Sequence, residues 1–200
     1  MYHVTVRGNA RQDLFLDDRD RERFIKNLAA SVASFGTRLH LYCLMANHLH
    51  LVVETPRANL SRFMGSLLTG YSVYFNLRHD RAGHLTQGRY GAQLVERDEY
   101  LLRLSRYVHL QPVCTKAMLE RSALERRKGL RDYVWSSYRS YAGLAHGLDF
   151  FTYNLLLAMT ARPGVESREA YRERVETRLA DTDEELELML KSPGHGVGGA

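Results

Sequence analysis

Between Leu39 and Glu54 the chain carries two strand-length apolar segments, Leu39 to Met45 and His48 to Glu54, with only Ala46-Asn47 between them. A link that short cannot cross over a sheet, so the two strands must pair antiparallel as a hairpin. The flanks repeat one pattern on each side. Upstream, Tyr2 to Arg7 alternates Tyr2, Val4 and Val6 against His3, Thr5 and Arg7, which predicts a strand. Gly8-Asn9 is a turn signal. Asp17-Asp18 opens a helix with Phe24, Ile25, Leu28, Val32 and Phe35 at spacings of three and four, and Gly36 stops it. Downstream, Pro56 ends the hairpin and Asn59 is placed to cap a helix from Leu60 to about Arg78. There Phe63, Leu67, Tyr71 and Phe75 recur every fourth residue. A polar loop from His79 to Gly88 leads to a fourth strand, Tyr90 to Glu96.

The order is β-α-β-β-α-β. Two β-α-β halves joined by a hairpin make the ferredoxin-like arrangement, an α+β fold whose antiparallel sheet has both main helices on one face. A third helix opens at Asp98 after the fourth strand, carries Leu101, Leu104 and Val108 on one stripe, and stops at Pro112. It can lie across the other face.

Beyond Pro112 the periodicity weakens. Arg126-Arg127-Lys128 with Arg131 forms a basic patch, and Trp135 to Tyr141 mixes aromatic, hydroxyl and basic residues. Ser167 to about Leu179 reads as a helix with a partial capping box, and Asp183 to Leu190 as a shorter one. The glycine-rich end, 194–200, reads as a disordered tail. The expected division is a domain over 1–142, a helical extension over 143–193 and that tail. With 200 residues there is room for one ordinary domain and an extension.

Charge narrows the partner. Residues 1–141 hold 22 Lys and Arg against 13 Asp and Glu, whereas 142–200 hold 6 against 10. Apart from Lys26, Lys116, Lys128 and Lys191, the cations are all arginine, whose planar fork matches phosphate and stacks on bases. This balance favours a nucleic-acid partner. The apolar fraction of 44% excludes a disordered chain. No apolar run is long enough for a membrane span and no signal peptide opens the chain, so a cytoplasmic protein is expected. Cys43 and Cys114 form no C-x-x-C pair and read as reduced thiols.

The chemistry centres on His48-Leu49-His50. Side chains alternate along a strand, so His48 and His50 face one side together while Leu49 and Leu51 face the core. Two neutral imidazoles so placed can chelate a metal, or can simply sit on a solvated face. Tyr107 and Gln111, four apart on the third helix, share a face of their own. They can be an ordinary packing tyrosine and an exposed residue before Pro112, or, read together with the histidines, supply a nucleophile and a neutral oxygen ligand.

The segment Leu44-Met45-Ala46-Asn47-His48-Leu49-His50-Leu51-Val52 resembles the signature strand of the single-tyrosine HUH transposases, where HUH means His, hydrophobic, His. Tyr2 to Asn9, Gly83 to Tyr90, Tyr100 to Val113 and Trp135 to Tyr138 resemble four further blocks of that family, in the same order. The likeness spans residues 2–142 and is similar to the insertion-sequence and REP-associated branches. The family usually has Pro where this chain has Ala46. Gln at 111 resembles the insertion-sequence branch.

The resemblance implies a transposase that cleaves and rejoins single-stranded DNA beside hairpins. Tyr107 would be the nucleophile on the catalytic helix, forming a 5′-phosphotyrosine link, and His48, His50 and Gln111 would hold one Mg²⁺ or Mn²⁺. Arg7, Asn9, Gln87, Arg89 and Arg106 would contact DNA, and Tyr90, Trp135 and Tyr138 could stack on bases. Family members occur as monomers and as dimers, so a homodimer is among the expected states. Two other readings stand beside it. One is a catalytically silent nucleic-acid binding protein of the same fold. The other is a metal-dependent hydrolase using Glu54 or Glu96 with the histidine pair.

Overall fold

The computed structural model describes residues 1–95, 98–177 and 179. Four strands, β1 (Tyr2–Arg7), β2 (Arg38–Leu44), β3 (His48–Glu54) and β4 (Gly91–Leu94), form one sheet in the order β2-β3-β1-β4. Every pairing in it is antiparallel. Helix α1 (Asp18–Phe35) links β1 to β2, and α2 (Leu60–Arg78) follows β3. This is the ferredoxin-like order expected from the flanks of the hairpin.

The alternation along β1 and β3 sorts residues between two cores. Val4, Val6, Leu49, Leu51 and Val53 join Phe24, Leu28, Phe63, Leu67, Tyr71 and Phe75 from α1 and α2 in the first. Burying each of these large side chains contributes about 1.5–3 kcal/mol. Asp17 caps α1 by accepting from the Asp20 amide, and Gly36 ends it at φ 60, a left-handed conformation that only glycine adopts without cost. A bulge between Leu39 and Leu41 shifts the parity of β2, so Leu39, Tyr42 and Leu44 face this core and Leu41 and Cys43 the other.

The second core lies on the opposite face, under α3 (Asp98–Leu110). There Leu101, Leu104 and Val108 pack on Leu41, Cys43 and Val52. A 3-10 turn, Gln111–Val113, follows α3. Next come α4 (Lys116–Leu119), α5 (Ala123–Asp132), α6 (Tyr138–Tyr141), α7 (Asn154–Thr160) and α8 (Ser167–Glu176). Leu156, Tyr171 and Val175 from α7 and α8 belong to the same buried cluster as α3. The polypeptide after residue 142 therefore packs against the helix that carries Tyr107.

Several expectations need correction. Asn59 stands at the start of α2, but its side chain donates to the Phe35 carbonyl instead of capping. The cap of α8 is Glu166, which accepts from the Arg168 and Glu169 amides, and not Ser167. Strand β4 leaves out Tyr90 and Val95 of the expected span, as befits an edge strand, and Glu96 lies outside the described residues. The helix expected over Asp183 to Leu190 and the tail over 194–200 lie outside the described residues. No helix among the described residues is long and apolar enough to cross a membrane.

Candidate active site

On the α3 face of the sheet, β3 presents His48 and His50, and the neighbouring β1 presents His3, Thr5 and Arg7. The antiparallel register sets Thr5 opposite His50 and Arg7 opposite His48. The strand ends meet two loops. The Gly8 amide donates to the Asn47 carbonyl, and the Leu14 and Phe15 amides both donate to the Ala46 carbonyl. The turn into the histidine strand is thus held by its neighbour. Gly8 is required here, because a Cβ on it would overlap the Gln12 carbonyl oxygen. Ala10 and Arg11 then take left-handed conformations at φ 51 and φ 62. Such strain persists in non-glycine residues only where the surroundings enforce it.

Thr5, Arg7, Arg11, Asn47, His48, His50, Tyr107 and Gln111 line a cleft of about 330 Å³. Two arginines and no carboxylate line it, so it suits an anion. The His50 and Tyr107 rings meet edge to face, 5.7 Å apart at 89°. His48 and His50 lie 5.2 Å apart at 87°. His48 Nδ1 is 2.8 Å from Asn47 Oδ1, an acceptor, so that nitrogen carries the proton and Nε2 the lone pair. His50 Nδ1 is 3.0 Å from His3 Nε2, and its Nε2 is buried without a hydrogen-bond partner. Gln111 Nε2 donates to the Tyr107 carbonyl, and its side chain lies within reach of His48.

Burial sets the protonation of the three imidazoles. It depresses His50 well below the ordinary histidine value, with the charges of His3, His48 and Arg7 adding to the effect. Burial likewise lowers His48, against the raising effect of the acceptor on Gln111, and brings His3 to about 4. All three are neutral near pH 7 and offer lone pairs.

Of the residues expected to act, His48, His50, Tyr107, Gln111 and Arg7 converge on the cleft. Gln111 does so from the 3-10 turn after α3 and not from the helix itself. Asn9, Gln87 and Arg89 are exposed and do not line it. The Gln87 amide donates to the Arg7 carbonyl, and the Asn9 amide to that of Leu85. Arg106 is only 8% exposed and is not among the residues lining the cleft. Tyr138 cannot stack on a base, since it is fully buried with its hydroxyl donating to Glu176. Trp135 is half-buried against the first core with the Arg21 guanidinium over its ring, and Tyr90 packs on the same core.

Glu54 bonds Arg38 and His40 at the far end of β3, roughly 13 Å from His50 at about 3.3 Å per residue. Glu96 lies outside the described residues. The hydrolase reading therefore finds no carboxylate among the residues lining the cleft. Both cysteines are free thiols.

Sequence reasoning missed Thr5, Arg11 and Asn47. Thr5 was open to discovery, since it shares the parity of Arg7 on β1. Arg11 was not, because a strained turn has no periodicity.

The family model described as "Transposase IS200 like" matches residues 1–111, more than half of the chain and all of the elements that build the cleft. The chain belongs to the IS200-like transposase family. No curated protein matches it significantly. Among solved structures, a REP-associated tyrosine transposase bound to a REP hairpin matches at TM-score 0.57 and 11% identity. That match covers 77% of this chain and 88% of the other, and shows a shared fold. A candidate transposase from Deinococcus radiodurans R1 matches at TM-score 0.41 and 18% identity over 55% of this chain and 88% of the other, too weakly to carry weight. As a family member the chain is a transposase, and DNA is its partner.

Proposed function

We propose that this transposase cleaves and rejoins single-stranded DNA beside a hairpin, with Tyr107 as nucleophile. One observation supports the reading most. A tyrosine, two neutral imidazoles and a carboxamide share a cleft with two arginines and no acid. Such a site attracts a phosphate diester and offers it an oxygen nucleophile. The hairpin enters from the structural neighbour, which holds a REP hairpin on the same fold.

The residues also fit a divalent cation. His50 Nε2 is buried and unpartnered, and the proton on His48 Nδ1 leaves the other ring nitrogen with a lone pair. Gln111 adds an amide oxygen beside His48. No group of three His, Cys, Asp or Glu among the described residues could hold a metal, so the set reaches three ligands only through that amide. Neutral ligands of this kind suit Mg²⁺ or Mn²⁺ held loosely. When bound, the cation supplies Lewis-acid polarisation of a non-bridging phosphate oxygen.

Arg7 and Arg11 hold the scissile phosphate by charge-assisted hydrogen bonds. Tyr107 gives its phenolic proton to solvent water as its oxygen attacks phosphorus. The P–O3′ bond breaks, and the departing 3′ oxygen takes up a proton. The 5′-phosphotyrosine conserves the diester, so a 3′-hydroxyl can reverse the step and join strands. Asn9, Gln87 and Arg89 contact the strand where it leaves the cleft.

Covalent trapping tests this. The chain is incubated with a single-stranded hairpin oligonucleotide and Mn²⁺, then run on a denaturing gel. A protein–DNA adduct that disappears in Tyr107→Phe is expected. A transposase fold that only binds DNA gives no adduct, and a hydrolase gives cut DNA without one.

A further inference from the structure

His3 is absent from the lining of the cleft and is 3% exposed, yet it touches the site at one atom. Its Nε2 lies 3.0 Å from His50 Nδ1. The two ring planes are 6° apart and the centroids 5.3 Å apart. That centroid spacing exceeds the nitrogen spacing by about the sum of the two ring radii. The rings therefore lie edge to edge in nearly one plane, with the bond running along it, and are not stacked face to face. His3 reaches His50 diagonally across the β1–β3 pair, since its direct partner is Val52.

One proton occupies this bond, on one ring or the other. If His3 Nε2 carries it, neutral His50 must hold its own proton on Nε2. That N–H would be buried with no acceptor, and it could bind no cation. If His50 Nδ1 carries it, His50 Nε2 bears a lone pair that a cation can satisfy. His48 already follows the second pattern, with its Nδ1 held by Asn47.

We propose that His3 is a positioning residue that accepts the Nδ1 proton of His50 and so fixes the tautomer in which His50 Nε2 is a ligand. This rests on the metal reading given above. Asn47 and His3 then perform the same task for the two ligands, one from the turn and one from the adjacent strand. Partners of this kind govern metal affinity by about ten- to a hundredfold. The acceptor here is a neutral imidazole, which raises ligand basicity less than a carboxylate would.

The experiment uses the full chain and two readouts. Long-range ¹⁵N–¹H spectra of the histidine rings report the tautomers directly, and titration with Mn²⁺ followed by electron paramagnetic resonance reports affinity. In the wild type, His50 is expected to be protonated at Nδ1 and not at Nε2. His3→Phe, which keeps a flat ring but offers no acceptor, is expected to weaken Mn²⁺ binding about tenfold or more. His3→Gln, whose Oε1 can accept the same proton, should restore most of the loss, which a purely space-filling role would not produce. Finding the wild-type His50 proton on Nε2 overturns the proposal. So does unchanged Mn²⁺ affinity in His3→Phe when His48→Ala abolishes it. If His48→Ala and His50→Ala also bind Mn²⁺ normally, the metal reading fails separately, and the tautomer spectra alone decide the role of His3.

Discussion

At the scale of single residues, the site depends on alternation and its limits. His48 and His50 were legible because a strand sends every second side chain to one face, and the structure sets both in one cleft. The pairing of His50 with His3 was not, since it depends on strand register and needs a diagonal reach that no local pattern encodes. Tyr138 shows the converse error. An aromatic among serines and an arginine looked like a base-stacking residue, but Glu176 takes its hydroxyl into the core. Arg11 yields the residue-scale prediction. On the proposed mechanism, replacing Arg11 with Ala removes a charge-assisted hydrogen bond to the phosphate, worth about 1.5–3 kcal/mol. Single-turnover cleavage of a hairpin oligonucleotide should therefore slow by roughly ten- to a hundredfold. An unchanged rate would remove Arg11 from the site.

Among the elements, α3 matters most, because it carries Tyr107 and is fixed from behind by the polypeptide after residue 142. His109 on α3 is fully buried between Ser137 Oγ at 2.8 Å and Tyr171 Oη at 2.7 Å. Ser137 Oγ donates to the Tyr42 carbonyl, so it accepts from His109 Nε2, and Tyr171 must donate to Nδ1. Tyr171→Phe leaves that nitrogen buried and unpaired, and should lower unfolding stability by about 1–3 kcal/mol in denaturant titration. Glu176 on α8 supplies a pH signature. Burial alone would raise its carboxyl, but hydrogen bonds from Arg131 and Tyr138, with the charges of Arg131 and Arg127, hold it below the ordinary value of 4.5. A carboxyl depressed on folding stabilises above its unfolded value, and that contribution fades as pH falls through the folded one. The stability gap between the wild type and Glu176→Gln should thus be full near pH 7 and shrink below about pH 4.5. A gap independent of pH would show that the charge is not what stabilises. The β-α-β-β-α-β order was legible from the short hairpin link and the four-residue recurrence in α2. The packing of α7 and α8 behind α3 was not, because it is a contact between distant segments with weak periodicity.

For the whole molecule, charge and topology act together. The sheet face that carries His48 and His50 is roofed by α3, while the cleft opens between β1, β3 and the turn that bears Arg11. If Arg7, Arg11 and Arg89 each neutralise one phosphate, log affinity for single-stranded DNA should fall against log salt with a slope of about −2, at about −0.7 per contact. A slope near zero would mean that the basic face does not carry the strand. The central claim is that one tyrosine, Tyr107, becomes covalently joined to DNA. Arg106 and Lys116 bound a tryptic peptide, Tyr107 to Lys116, that contains a single tyrosine. Mass spectrometry of nuclease- and trypsin-treated adduct is the most direct test. A nucleotide phosphate on Tyr107 in that peptide is the expected result, and a nucleotide on any other residue, or cleavage that leaves the peptide unmodified, would contradict it.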